Sequence, residues 1–103
     1  MKSAVISRAT SGAGTPIVAA VAGKRIFVYG DRFIAAGTVG AKYEYGDGTT
    51  QTALSGVMPL TAQVGANVPI GCDAIFVVPA GSALYLNLDA NVGVYGHLSY
   101  VYK

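Results

Sequence analysis

His97 is the single histidine of this 103-residue chain, and Ser99 follows two positions later. On an extended strand, residues i and i+2 share a face, so the two side chains stand together as half of a nucleophilic site. The other half needs a group that orients the imidazole and donors for an oxyanion. Nothing in the sequence marks either. His97 therefore reads as a surface or interface residue whose charge can change near neutral pH. The carboxylates are Asp31, Glu44, Asp47, Asp73 and Asp89, and no two have the spacing of a metal or glycosidase pair. Calcium loops repeat Asp or Asn at alternate positions ahead of a Gly; Gly46-Asp47-Gly48-Thr49-Thr50 does not. Cys72 and His97 together leave a metal's coordination shell unfilled. Gly12-Ala13-Gly14 begins like a dinucleotide fingerprint, but Ile17 stands where the third glycine belongs and Pro16 precedes it. The expectation is a non-enzymatic chain with no catalytic, cofactor-binding or metal-binding residues.

The elements that carry these residues have a period of two. In residues 83–89, Leu84, Leu86 and Leu88 share one face while Tyr85, Asn87 and Asp89 share the other, which predicts a half-buried strand. In 93–102, Val94, Gly96, Leu98, Tyr100 and Tyr102 alternate with Tyr95, His97, Ser99 and Val101. Both faces read as covered. Residues 24–36 form a long strand that Gly30 and Asp31 interrupt, which predicts a bulge or bend. Residues 38–45 form another, with Tyr43 and Tyr45 opposite Lys42 and Glu44. Gly46-Asp47-Gly48 is a hairpin signal, because Asp-Gly accepts the positive φ of tight turns. Pro59, Pro69 and Pro79 read as strand ends. Residues 3–8 form a short first strand, and the Ser/Gly/Pro stretch 11–16 reads as a flexible connection. No segment keeps helical spacing over three turns. About eight short strands at spacings of roughly ten residues predict an all-β, antiparallel sandwich or barrel.

Composition bounds the function. The chain has 12 charged residues, seven basic and five acidic, while 52% of its residues are hydrophobic. A soluble domain ordinarily has about a quarter charged residues. A chain this short hides only about two-thirds of its unfolded surface, so much of the exterior must be apolar, and such surface usually meets protein. The net charge of +2 is too mild for nucleic acid, and only Lys24 and Arg25 are adjacent. The longest apolar run, around 16–23, is too short to span a bilayer. No signal peptide is expected, since Arg8 interrupts before an apolar stretch forms. Cys72, alone, reads as a small buried hydrophobe or as a bridge between subunits. Seven tyrosines suit protein interfaces better than a stacking platform, because they are spread over four strands and no Trp accompanies them.

Three blocks carry a resemblance. They are Val21-Ala22-Gly23-Lys24-Arg25-Ile26; then Gly48-Thr49-Thr50 with Leu54-Ser55-Gly56-Val57-Met58-Pro59-Leu60; then Ala80-Gly81-Ser82-Ala83-Leu84-Tyr85-Leu86-Asn87-Leu88 running into Gly96-His97-Leu98-Ser99-Tyr100-Val101-Tyr102. In order and spacing, over roughly residues 15–102, they resemble small structural proteins of tailed bacteriophages. Where that family often has Gly-Trp-Phe before the Ala-Gly turn, this chain has Asp73-Ala74-Ile75-Phe76. The resemblance implies a jelly-roll-like sandwich that forms a homotrimer on the outer surface of a capsid, assembled in the host cytoplasm. It would be a decoration or cement protein whose partner is the major capsid protein, with no nucleic acid and no membrane. The alternative it implies is a receptor- or glycan-binding module of a tail fibre or spike.

Two surfaces are expected to serve that role. Residues 1–14 would be an arm and linker ahead of a body over 15–103. In the arm, Ser3, Ala4, Val5, Ile6, Ser7 and Arg8 would add to a sheet edge of a neighbour or of the capsid protein; the other reading is an ordinary first strand. Tyr95, His97, Tyr100 and Tyr102 would line the contact between subunits.

Overall fold

The alternation read along the chain becomes two stacked antiparallel sheets. The computed structural model describes residues 1–47 and 49–103. Among them are nine strands: β1 (Lys2–Arg8), β2 (Ile26–Ala35), β3 (Val39–Gly46), β4 (Gln51–Ala53), β5 (Met58–Leu60), β6 (Gly65–Val68), β7 (Phe76–Val78), β8 (Ala83–Leu88) and β9 (Val94–Tyr102). The five-stranded sheet runs β1-β9-β2-β6, with β7 beside β6 along the same side of β2. In the four-stranded sheet, β3 pairs β8 on one side and both β4 and β5 on the other. The chain is all-β and sandwich-like. Pro59 sits inside β5 rather than at its end, on an edge where a missing N–H costs no ladder bond.

The core lies between the inner faces. Ile26, Val28, Phe33 and Leu98 of one sheet meet Ala41, Tyr43, Leu84 and Leu86 of the other in one cluster of buried side chains. Each fully buried aliphatic or Phe contributes roughly 1.5–3 kcal/mol. The expected interruption of β2 is a bulge: the pairs Val28↔Tyr100 and Gly30↔Ser99 leave Tyr29 as the extra residue. Beyond it the faces exchange, so Asp31, Phe33 and Ala35 point inward. Tyr43 Oη donates to Asp31 Oδ2 at 2.7 Å, inside the sandwich and across the two sheets. Turn chemistry also appears where expected. Asp47 Oδ1 accepts the Thr50 and Thr49 N–H groups, each at 2.9 Å, and these donors hold its carboxyl below the ordinary range. Gly48, the residue expected to take the positive φ, lies outside the described residues.

The N-terminal segment departs from the flexible-tether expectation. β1 pairs with β9 along its whole length, from Lys2↔Tyr100 to Arg8↔Val94, and Ile6 is 1% exposed. The stretch after β1 is laid along β8. Gly12 N–H donates to Leu88 O at 2.8 Å, Ile17 N–H to Leu84 O at 2.7 Å, and Leu84 N–H returns to Val18 O at 3.0 Å. Arg8 pins this strap from beneath: its guanidinium donates to Gly12 O (2.7 Å) and Thr10 O (3.0 Å), and its Nε to Leu86 O of the opposite sheet (3.4 Å). Gly14 has φ +60, and a Cβ there would run into the Arg8 guanidinium. Residues 2–8 are therefore a strand of the body's own sheet. The accessible surface of 5317 Å² is close to the ~5,400 Å² that a compact chain of this mass exposes.

Cys72 corrects another expectation. It is exposed, not buried. It lies in the connection between β6 and β7, residues 69–75, which holds Pro69 and Gly71 and forms no strand.

Tyr43→Phe leaves the buried Asp31, whose Oδ1 already lacks a partner, without its donor, at a cost of about 2 kcal/mol in urea unfolding at pH 7. Burial first, then the Asp31 charge, raises the Tyr43 pKa far above its ordinary value. An unfolded tyrosine titrates near pH ~10. Above that pH the unfolded chain binds fewer protons than the folded one, so this hydroxyl's contribution is full below it and declines as pH rises. The Phe variant should thus lose less stability than the wild type across an alkaline series. Separately, Arg8→Leu strands carbonyls of the strap. It should cost about 2 kcal/mol and open residues 9–18 to limited proteolysis.

Candidate interaction face

Strand register sets out the outer face of the five-stranded sheet in rows. Val5 pairs with His97, His97 with Arg32 and Arg32 with Asn67, so these four side chains cross the sheet in one line. The next row is Ser7, Tyr95, Ile34 and Gly65. Val5 is 76% exposed, while Ile34 and Tyr95 are each 47% exposed. At the other end of the face Val101, Phe27 and Val77 align. There the Lys103 ammonium lies 5.0 Å from the Phe27 ring and donates to Tyr29 Oη at 3.2 Å.

Two joined hollows cut this face. A groove of about 480 Å³ is lined by Ile34, Gly65, Tyr95 and Gly96, with Arg32 and Asn67 at one end. A smaller hollow of about 160 Å³ shares Arg32 and Asn67 and continues to Asp31, His97, Ser99 and the 68–70 segment. Gly65 lines the first. It lies so close to β2 that a Cβ would run into the Phe33 carbonyl, so β6 can approach β2 here only with a glycine. The face is also of one sign. Asp31 is the only carboxylate on β1, β2, β6, β7 or β9, and it points inward. The other sheet matches its own charges: Lys42 Nζ lies 3.3 Å from Glu44 Oε2, and Asn87 Nδ2 donates to Glu44 Oε1 at 2.9 Å.

The expected site residues separate by strand parity. Ser3, Val5 and Ser7 face outward, whereas Ala4, Ile6 and Arg8 face the interior. Tyr95 and His97 stand on the outer face. Tyr100 and Tyr102 do not join them: their rings pack edge to face at 5.4 Å on the inner side, and Tyr102 Oη donates to Ala19 O at 2.6 Å. The four tyrosine and histidine positions grouped from the sequence therefore form two surfaces, since odd and even residues of one strand point opposite ways. His97 and Ser99 do share a face, but Asp31 turns its carboxyl to Tyr43 on the other side of the sheet. Among the described residues no three His, Cys, Asp or Glu side chains stand together as metal ligands.

Arg32 and Asn67 are site residues that local patterning missed. The signal was the bulge: an extra residue before Asp31 turns Arg32 outward. No protein family, curated protein or solved structure matches the chain. Gly65→Ala should force β6 away from Phe33, costing about 1–3 kcal/mol in urea unfolding and accelerating amide exchange at residues 65–68.

Proposed function

We propose that this chain is a non-enzymatic structural subunit of a tailed-bacteriophage particle. In this reading it is a capsid decoration protein that forms a homotrimer and clamps neighbouring capsomers of the major capsid protein on the outer surface of the head. A jelly-roll-like arrangement of the two sheets belongs to the same proposal. The observation that carries it is the free edge of β1. This seven-residue edge strand has no charge between Lys2 and Arg8 and no proline, and it exposes Val5 at 76%. Monomeric proteins defend such edges with charge, proline or a covering segment. Here the covering strap runs along β8 instead, and β1 stays available for a strand from another chain. Closed rotational symmetry would use the edge once per subunit, and three linked contacts on one shell would add avidity. The chain's low charge removes the usual penalty for close approach of copies.

Val5→Lys tests this without touching the core, whereas deleting residues 1–12 would strip out Ile6. The wild type should scatter light as a trimer. The variant should scatter as a monomer, with its unfolding free energy changed by no more than about 0.5 kcal/mol, and should lose occupancy on expanded capsids. A monomeric wild type, or a variant that assembles equally well, overturns the proposal.

A further inference from the structure

We propose that the two joined hollows on the outer face bind a protein segment presenting a carboxylate beside an apolar side chain, with Arg32 as the carboxylate's partner. This deepens the assembly reading, on which it rests for the partner being a protein. Both hollows take in Arg32 and Asn67: Ile34 and Tyr95 line one, while His97, Ser99 and Asp31 line the other together with the apolar 68–70 segment. A ligand that reaches Arg32 from the groove is apolar where it meets Ile34 and Tyr95 and an acceptor where it meets the guanidinium.

Charge selects the acceptor. Among the described residues the ion pair is Lys42–Glu44 on the opposite sheet, so Arg32 has no carboxylate partner. Its guanidinium offers donors in a planar fork that suits a carboxylate. Register places His97 and Asn67, both hydrogen-bonding side chains, on either side of it. A second copy docked face to face supplies no acceptor of this kind, because no outward side chain of these five strands is acidic. A nucleic acid needs a run of phosphate contacts, and here Arg32 stands alone at the junction. An unpaired Arg32 beside the apolar groove favours an Asp or Glu of a different chain, flanked by an apolar residue that enters the groove beside Tyr95.

The test uses the full chain, isotope-labelled, with amide shifts read during titration by N-acetyl-Leu-Glu-amide, N-acetyl-Leu-Gln-amide and N-acetyl-Gly-Glu-amide. The Leu-Glu peptide should shift the amides of Arg32, Asn67 and Tyr95 and bind roughly three- to tenfold more tightly than either of the others. Arg32→Gln should abolish the advantage of Glu over Gln. Arg32 is exposed, so this variant keeps the fold, which its amide spectrum checks. Equal binding of the Glu and Gln peptides, a difference that survives Arg32→Gln, or no shifts on this face overturns the proposal. Inorganic phosphate binding more tightly than the Leu-Glu peptide overturns the carboxylate assignment. None of these outcomes alters the oligomeric state read out by Val5→Lys, so the two proposals fail separately.

Discussion

One extra residue in β2 decides which side chains of the central strand enter the core. Tyr29 bulges out of the ladder with β9, and the parity of everything beyond it changes. Without the bulge, Arg32 and Ile34 would continue the inward face begun by Ile26 and Val28, and a guanidinium would lie among Leu84, Leu86 and Leu98. With it, Asp31, Phe33 and Ala35 turn inward and Arg32 turns out. The interior still receives one polar group, and Tyr43 answers it from the other sheet at 2.7 Å. A buried carboxyl without that donor would be costly. The bulge and the tyrosine are therefore two parts of one arrangement, and the outer row His97–Arg32–Asn67 is its consequence on the opposite face.

The strap after β1 shows the same economy at the edge of the sandwich. An arginine at the end of an edge strand would ordinarily reach solvent. Arg8 instead turns inward beneath residues 10–12 and satisfies their carbonyls, while reaching across to Leu86 O. Its charge is held by backbone acceptors, which strengthens those bonds over neutral ones. The strap covers the outer edge of β8 and leaves that of β1 open. The two sheet edges thus differ: one is closed by the chain's own backbone, and the other is left unpaired.

The two outer faces differ in a parallel way. On the four-stranded sheet Lys42, Glu44 and Asn87 satisfy one another. On the five-stranded sheet Arg32 stands without a carboxylate, while Lys103 is engaged by Phe27 and Tyr29. Exposed apolar side chains stand near Arg32, with Val5 on its row and Ile34 and Tyr95 on the next. Polar self-sufficiency on one side and unmet donors beside apolar surface on the other give the molecule a front and a back.

Much of this was legible along the chain. The leucine alternation of β8, the inward and outward sets of β9, the Asp47 turn and the interruption of β2 all follow from neighbours a few residues apart, because strand pleat and turn conformation are local properties. All-β class follows from the same period. The parity that divides Tyr95 and His97 from Tyr100 and Tyr102 is local too, whereas exposure of Cys72 and capture of the strap by Arg8 required the assembled sheets. So did the meeting of Asp31 with Tyr43 and the alignment of Val5, His97, Arg32 and Asn67. Those relations depend on register between strands up to about ninety positions apart, such as Val5 with His97. Register is chosen by the core as a whole: a slip of one residue would exchange the two faces of a strand, and only simultaneous burial of both sheets' inner faces decides against it.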